Sequence, residues 1–297
     1  MPISEPWVMG VHADTVSASE RDLIARSLRE SVAGQRAMLL STCHRVELYG
    51  FGAMPDLDAR LHVETGEAAV RHLMRVATGL ESAVIGEDEV LHQVRDALAQ
   101  ARLLRPLDRR LQRLFETAIA AGRRARARRT ATGGNLAQRA VAWLQQRSTL
   151  KGRMVLIAGA GRMGSSLAHA ARVAGADVTI ASRDAARANR LAQVYSGRGL
   201  DLAGGAELAP KSAGIAIALA GVWHEFQPRE RDLPPIADIS APPAVMTAVR
   251  ARFNGGFLGI DDLWVRTQTV PRAYIDEADQ VVATKVREYV RWLGGGR

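Results

Sequence analysis

The sequence predicts an α/β protein built as an α+β domain, then a doubly wound parallel-sheet domain, then one long helix. Three observations predict it. Short apolar and alternating runs open the chain and give way to long stretches of helical periodicity. From residue 151 the composition changes to an apolar strand, a Gly-rich turn, a small-residue helix and a second apolar strand, all within one βαβ length. The last 22 residues carry Ala278, Val281, Val282, Val286, Tyr289 and Leu293 at the spacing of one helix face.

In order, "WVMGVHA" (residues 7–13) reads as a strand, and "SERD" (19–22) as a capping box for a helix running towards Glu30. "AMLLST" (37–42) is a buried strand, and "RVELYG" (45–50) alternates like its hairpin partner, so Cys43 falls at a strand-to-strand corner. After a loop around residues 54–58 the chain turns helical, through "EAAVRHLMRVA" (67–77), "EDEVLHQVRDALAQARLL" (87–104), a basic stretch over 108–129, and residues 136–146 after the breaker "TGGN". Further strands are expected at "GIAIAL" (214–219) and "PIADIS" (235–240). Pro271 marks the approach to the final helix.

At 297 residues there is material for two cores, and a single cysteine cannot form an internal disulfide, which fits a reducing, cytoplasmic compartment. The N-terminus lacks a signal-peptide pattern, and no run approaches the roughly 18–20 apolar residues that span a bilayer, so a soluble protein is expected. No metal site is expected. The net charge is +9, and only Lys151, Lys211 and Lys285 are lysines. Arg102 and Arg129 bracket ten arginines against Asp108 and Glu116. Such a patch suits a phosphate backbone, the alternative being a solvated helix face.

"VLIAGAGRMG" sets Gly159, Ala160, Gly161, Arg162, Met163 and Gly164 directly between a strand and a helix, the context a dinucleotide fingerprint requires. At the end of the next strand, NAD sites place an acidic residue on the ribose; here stand Ser182 and Arg183, suited to a 2′-phosphate, so NADPH is the expected cofactor. Asp184 is expected to cap the following helix. A nicotinamide domain joined to a domain with one thiol suggests thioester chemistry, although a lone cysteine is more often a small core residue.

"STCHRVELY" resembles the glutamyl-tRNA reductase signature S-T-C-N-R-x-E-x-Y, and "RHLMRVATGLESAVIGEDEVLHQVRDA" resembles that family's second block. "ASRD", "DISAPPAV" and "GIDDL" follow the family's nucleotide domain in the same order. The resemblance implies a catalytic domain at 1–147, an NADP-binding Rossmann domain at 148–262 and a spinal-type helix at 263–297. It implies Cys43 as the nucleophile that attacks the ester between glutamate and the tRNA 3′ end, and His72 as a histidine needed for activity. Thr42, His44 and Arg45 would belong to the substrate loop, with Arg45 holding the substrate carboxylate. Ser82, Glu87, Asp88, Glu89 and Gln93 would contact substrate. The implied reaction is reduction of glutamyl-tRNA to glutamate-1-semialdehyde, the first step of five-carbon tetrapyrrole synthesis, with a downstream aminomutase as recipient.

The chain departs from the family at several places. His44 replaces the usual Asn, and Glu89 a glutamine. The N-H-K-T-A-P-V block is here "HADTVSA" (12–18), with Asp14 at the lysine position. The chain ends inside what would be the spinal helix, before the family's C-terminal dimerisation domain, so a homodimer stays open. Two other readings also stay open: a shortened paralogue reducing a different aminoacyl-tRNA or acyl thioester, and a non-catalytic regulator that binds tRNA or a partner.

Overall fold

The computed structural model describes residues 5–31, 37–55, 61–104, 106–127, 135–228, 233–253, 256–263 and 272–295. The chain divides into two compact units, residues 1–135 with 265–297, and residues 136–264. The sequence division differs: it places residues 136–147 with the first domain and separates the last helix from it.

The first unit carries strands β1 (Pro6–His12), β2 (Met38–Ser41), β3 (Arg45–Phe51) and β4 (His62–Thr65) in a four-stranded antiparallel sheet of order β2-β3-β1-β4. Its helices are α1 (Ala18–Ser31), α2 (Gly66–Thr78), α3 (Asp88–Leu104), α4 (Arg109–Ala127) and α10 (Arg272–Gly295). Strand alternation divides the sheet's side chains between two faces. Val8, Met38, Leu40 and Tyr49 pack with buried residues of α2, α3, α4 and α10, whereas Val11 and Val46 pack with Ala25 and Leu28 of α1. The final helix is held by Tyr274, whose hydroxyl donates to Thr78 O (2.8 Å), and by Tyr289, which donates to Arg110 O (2.8 Å). Its buried face includes Ala278, Val281, Val282, Val286 and Tyr289, as its spacing predicts.

The helix start at α1 is a correction. The reciprocal cap is made by Ser17 and Glu20, two residues before the predicted box: Glu20 N donates to Ser17 Oγ, while Ser17 N and Oγ donate to Glu20 Oε2. Strand β4 is also absent from the sequence prediction. Residues 56–58 of the expected loop, the "TGG" of the breaker, Pro271, and Arg105, Arg128 and Arg129 of the basic stretch lie outside the described residues.

The second unit is a six-stranded parallel sheet of β5 (Met154–Ala158), β6 (Asp177–Ala181), β7 (Arg198–Leu200), β8 (Gly214–Ile217), β9 (Ile236–Asp238) and β10 (Phe257–Gly259), in the order β10-β9-β8-β5-β6-β7. This is the doubly wound order, in which β6 and β7 are added on one side of β5 and β8 to β10 on the other. Helices α5 (Leu136–Gln145), α6 (Arg162–Val173), α7 (Ala185–Val194), α8 (Leu202–Leu208) and α9 (Thr247–Arg250) complete it. No described helix is long and apolar enough to cross a membrane.

Candidate active site and nucleotide cradle

The period-2 alternation of β3 puts Arg45, Glu47 and Tyr49 on one face of the first sheet. The antiparallel register then sets His12 opposite Arg45 and Gly10 opposite Glu47. Gly10 makes the site possible, because a Cβ there would lie 2.9 Å from Glu47 Cγ. Helix α2 crosses this face and supplies His72.

Glu47 is the buried hub. His12 Nε2 lies 2.9 Å, His72 Nε2 2.8 Å and Arg45 Nη1 3.2 Å from its Oε1, and the Tyr49 hydroxyl donates to its Oε2 at 2.6 Å. Burial by itself raises a carboxyl pKa, but His72 and Arg45 hold Glu47 well below the carboxylate range. Burial likewise opposes a charge on His72, and the Glu47 carboxylate outweighs it and raises the imidazole above its ordinary value. Burial and the Glu47 charge push the Tyr49 hydroxyl up. A cavity of about 780 Å³ opens over this cluster, lined by His12, Asp14, Glu64, His72, Arg75 and Glu81 among others.

Cys43 lies at the β2–β3 corner, half-buried, as its flanking strands predict. Thr42 organises the corner: its Oγ1 accepts from His44 N and Arg45 N (both 3.2 Å), and its own N donates to Arg45 O (2.8 Å). Arg21 of α1, buried, donates to Cys43 O at 2.6 Å and so fixes the thiol's backbone. The Sγ is 3.4 Å from His44 Nδ1. Burial pushes the Cys43 thiol up, the charges of Glu87 and Glu89 push it further, and Arg21 and Arg45 pull it down.

The turn after α2 brings the second block to the same corner. Ser82 and Glu87 are buried, and Glu87 is raised to about 7 by burial, against its hydrogen bond with Ser82. Asp88 is exposed and pairs with Arg126 (3.0 Å); Glu89 and Gln93 are half-buried on α3. Arg45, the expected clamp on the substrate carboxylate, is buried and already engaged by protein groups. Its guanidinium is 3% exposed and is committed to Glu47 and to the carbonyl of Glu81.

Part of the basic stretch is likewise spent inside the fold. Arg126 donates to Ala77 O, Gly122 O and Glu87 O, Arg102 pairs with Glu116 (2.5 Å), and Arg110 pairs with Asp108 (2.7 Å) and covers the Phe51 ring. Arg109, Arg113, Arg123 and Arg124 remain exposed. Sequence reasoning missed Arg21 and the convergence of His12 with Glu47 and His72. Only the antiparallel register, which the alternating runs imply but do not fix, carries a signal for His12.

In the second unit, Gly159 N donates to Ala181 O (2.7 Å), which sets the 159–164 turn against the end of β6. Gly159 adopts φ +122°, and a Cβ there would collide with Ala218 O, as one at Gly164 would with Gly159 O. A Cβ at Gly161 would meet nothing within 4 Å, and no side chain caps the α6 N-terminus that follows it. The open turn and uncapped helix start fit a pyrophosphate. Ser182 and Arg183 follow β6, and Asp184 caps α7, accepting from Arg187 N (2.9 Å).

Residues 12–129 match the domain family described as glutamyl-tRNAGlu reductase, N-terminal domain. A protein of Rubrobacter xylanophilus named glutamyl-tRNA reductase is 34% identical over 304 residues, spanning 90% of this chain and 70% of that protein. The chain belongs to the glutamyl-tRNA reductase family. A glutamyl-tRNA reductase of Thermus thermophilus is 31% identical, spanning 88% of this chain and 73% of that one. The solved glutamyl-tRNA reductase from Methanopyrus kandleri superposes with a TM-score of 0.51 at 26% identity, covering 97% of this chain and 80% of that structure. Residues 140–265 match the shikimate/quinate 5-dehydrogenase domain family, which implies a nicotinamide cofactor. As a glutamyl-tRNA reductase family member, the chain is an oxidoreductase of the family that begins tetrapyrrole synthesis.

Proposed function

We propose that the chain reduces glutamyl-tRNA with NADPH to glutamate-1-semialdehyde through a thioester on Cys43. The single observation that carries this reading is the pairing of the only thiol with a base, His44 Nδ1 at 3.4 Å from Sγ. Burial and two carboxylates disfavour the thiolate, so a partner that takes its proton is what turns Cys43 into a nucleophile. Sγ attacks the glutamyl ester carbonyl, a C–S bond replaces the C–O bond, and the tRNA 3′-hydroxyl leaves with the proton held on His44. Thr42 and Arg21 keep the corner in place during acyl transfer. When bound at residues 159–164 and Ser182–Arg183, NADPH supplies the hydride chemistry that converts a thioester to an aldehyde. His72, held by Glu47, is positioned to hold or move a proton at its Nε2.

The exposed Arg109, Arg113, Arg123 and Arg124 supply a face for the tRNA backbone under this proposal. An aminomutase would consume the aldehyde, and pairing of two chains is read by sedimentation. The deciding experiment incubates the protein with glutamyl-tRNA and NADPH, traps the aldehyde and seeks an acyl adduct on Cys43 by mass spectrometry. Cys43→Ser should abolish both products while NADPH still binds; undiminished turnover in that variant ends the mechanism.

A second reading keeps the chemistry and changes the acyl donor. It is favoured by His44 and Glu89, which stand where the signature has amides and both act electrostatically on Cys43 or contact it. A panel of charged tRNAs separates the two, according to whether glutamyl-tRNA leads.

A further inference from the structure

We propose that His12, Glu47 and His72 form a binding site for one divalent ion of the zinc class. One carboxylate and two imidazoles are a donor set that zinc accepts, with further positions left open. The three ligand atoms lie within 4.8 Å of one another, and both Nε2 atoms already converge on the same Glu47 oxygen, at 2.9 and 2.8 Å. The two rings are stacked 5.7 Å apart and 11° from parallel. Binding exchanges each Nε2–H···O contact for a metal–nitrogen bond, and the displaced protons pass to Nδ1 or to solvent.

The surroundings meet the other requirements of such a site. Tyr49 holds the second oxygen of Glu47, which fixes the carboxylate's orientation. Glu64 Oε1 lies 4.0 Å from His72 Nδ1, where its charge favours the Nδ1–H form once an ion takes Nε2. An ion has an entry path to the two imidazoles, since the side chains of His12 and His72 are 24% and 11% exposed and line the cavity, and the buried Glu47 oxygen lies behind them within contact of both. Arg45 near the same oxygen opposes a cation, and Glu64 and Asp14 on the cavity wall offset that charge. The site does not rest on the reductase reading, and it is an alternative use of the His72 Nε2 lone pair: with an ion bound there, that atom no longer holds or moves a proton.

The test uses the untagged full chain, stripped with a chelator and without tRNA. Zn²⁺ is titrated by calorimetry, and Co²⁺ by visible absorption. The expected result is one ion per chain, cobalt bands without a thiolate charge-transfer band, and at least about tenfold weaker Zn²⁺ binding in His12→Asn. His72→Asn serves as the second ligand variant if His12→Asn melts early, and Cys43→Ser should bind Zn²⁺ as the parent does. The proposal is overturned by the absence of stoichiometric uptake, by unchanged affinity in the ligand variants, or by loss of binding in Cys43→Ser. Aldehyde formation is measured separately, so failure of either proposal is read on its own.

Discussion

Gly10 faces Glu47 across the β1–β3 pair, and a Cβ at residue 10 would collide with the Val46 carbonyl and crowd the Glu47 side chain. Strand interiors disfavour glycine, so its place here reflects the close approach of β3: a Cβ would stand closest to Val46 O, and 2.9 Å from both Cα and Cγ of Glu47. Gly10→Ala should therefore displace Glu47 from His12, His72 and Tyr49 and destabilise the fold by about 1–3 kcal/mol. Urea denaturation measures the loss; a variant as stable as the parent shows that the strand pair yields more readily than its packing implies.

His44 is expected to set the reactivity of Cys43. With burial, and then Glu87 and Glu89, raising the thiol, removal of the neighbouring imidazole takes away the group placed to accept its proton. In His44→Asn, alkylation of Cys43 by iodoacetamide should slow by about tenfold to a hundredfold. The chain has one cysteine, so whole-protein labelling reads this site alone. Equal rates would remove His44 as the base.

What the sequence made legible follows from where each signal lives. The alternation of "RVELYG" placed Arg45, Glu47 and Tyr49 on one face, and flanking strands located Cys43 at its corner. The unread strands β4, β7 and β10 are three or four residues long and each forms a sheet edge, where short contact with the core leaves little periodicity. His12 and His72 are 35 and 25 residues from Glu47, so their meeting depends on strand register and on how α2 crosses the sheet. The resemblance implies Arg45 as a clamp on the substrate carboxylate, and what the sequence does not show is that Glu47 and the Glu81 carbonyl already engage its buried guanidinium.

Glu87 makes stability depend on pH. Burial raises its folded value to about 7 from an ordinary 4.5, with Glu89 adding to the shift and Ser82, Arg45 and Arg126 opposing it. Between those values the folded chain holds a proton that the unfolded chain has released. The contribution is therefore fully present below pH 4.5 and is lost as pH rises to 7, by about 3 kcal/mol in all. Glu87→Gln should flatten this slope and make the variant relatively more stable at pH 8. Thermal melts from pH 5 to 8 measure it, and parallel profiles for parent and variant would show that Glu87 ionises normally.

Arg183 is expected to choose between the two nicotinamide cofactors. The acidic residue nearest the end of β6 is Asp184, and its carboxylate is already spent on Arg187 N as the cap of α7, which leaves no carboxylate there for ribose hydroxyls. Ser182 and Arg183 precede it beside the Gly159 turn, and Arg183 is exposed, with one Nη2 contact to Ala220 O at 3.5 Å. A guanidinium on a 2′-phosphate makes charge-assisted hydrogen bonds of about 1.5–3 kcal/mol. Arg183→Ala should therefore weaken NADPH binding by roughly tenfold to a hundredfold. NADH, which lacks the phosphate, should change by less than about twofold on the same ground. Fluorescence titration of both cofactors reads the difference, and an equal loss for the two would place Arg183 on some shared part of the dinucleotide.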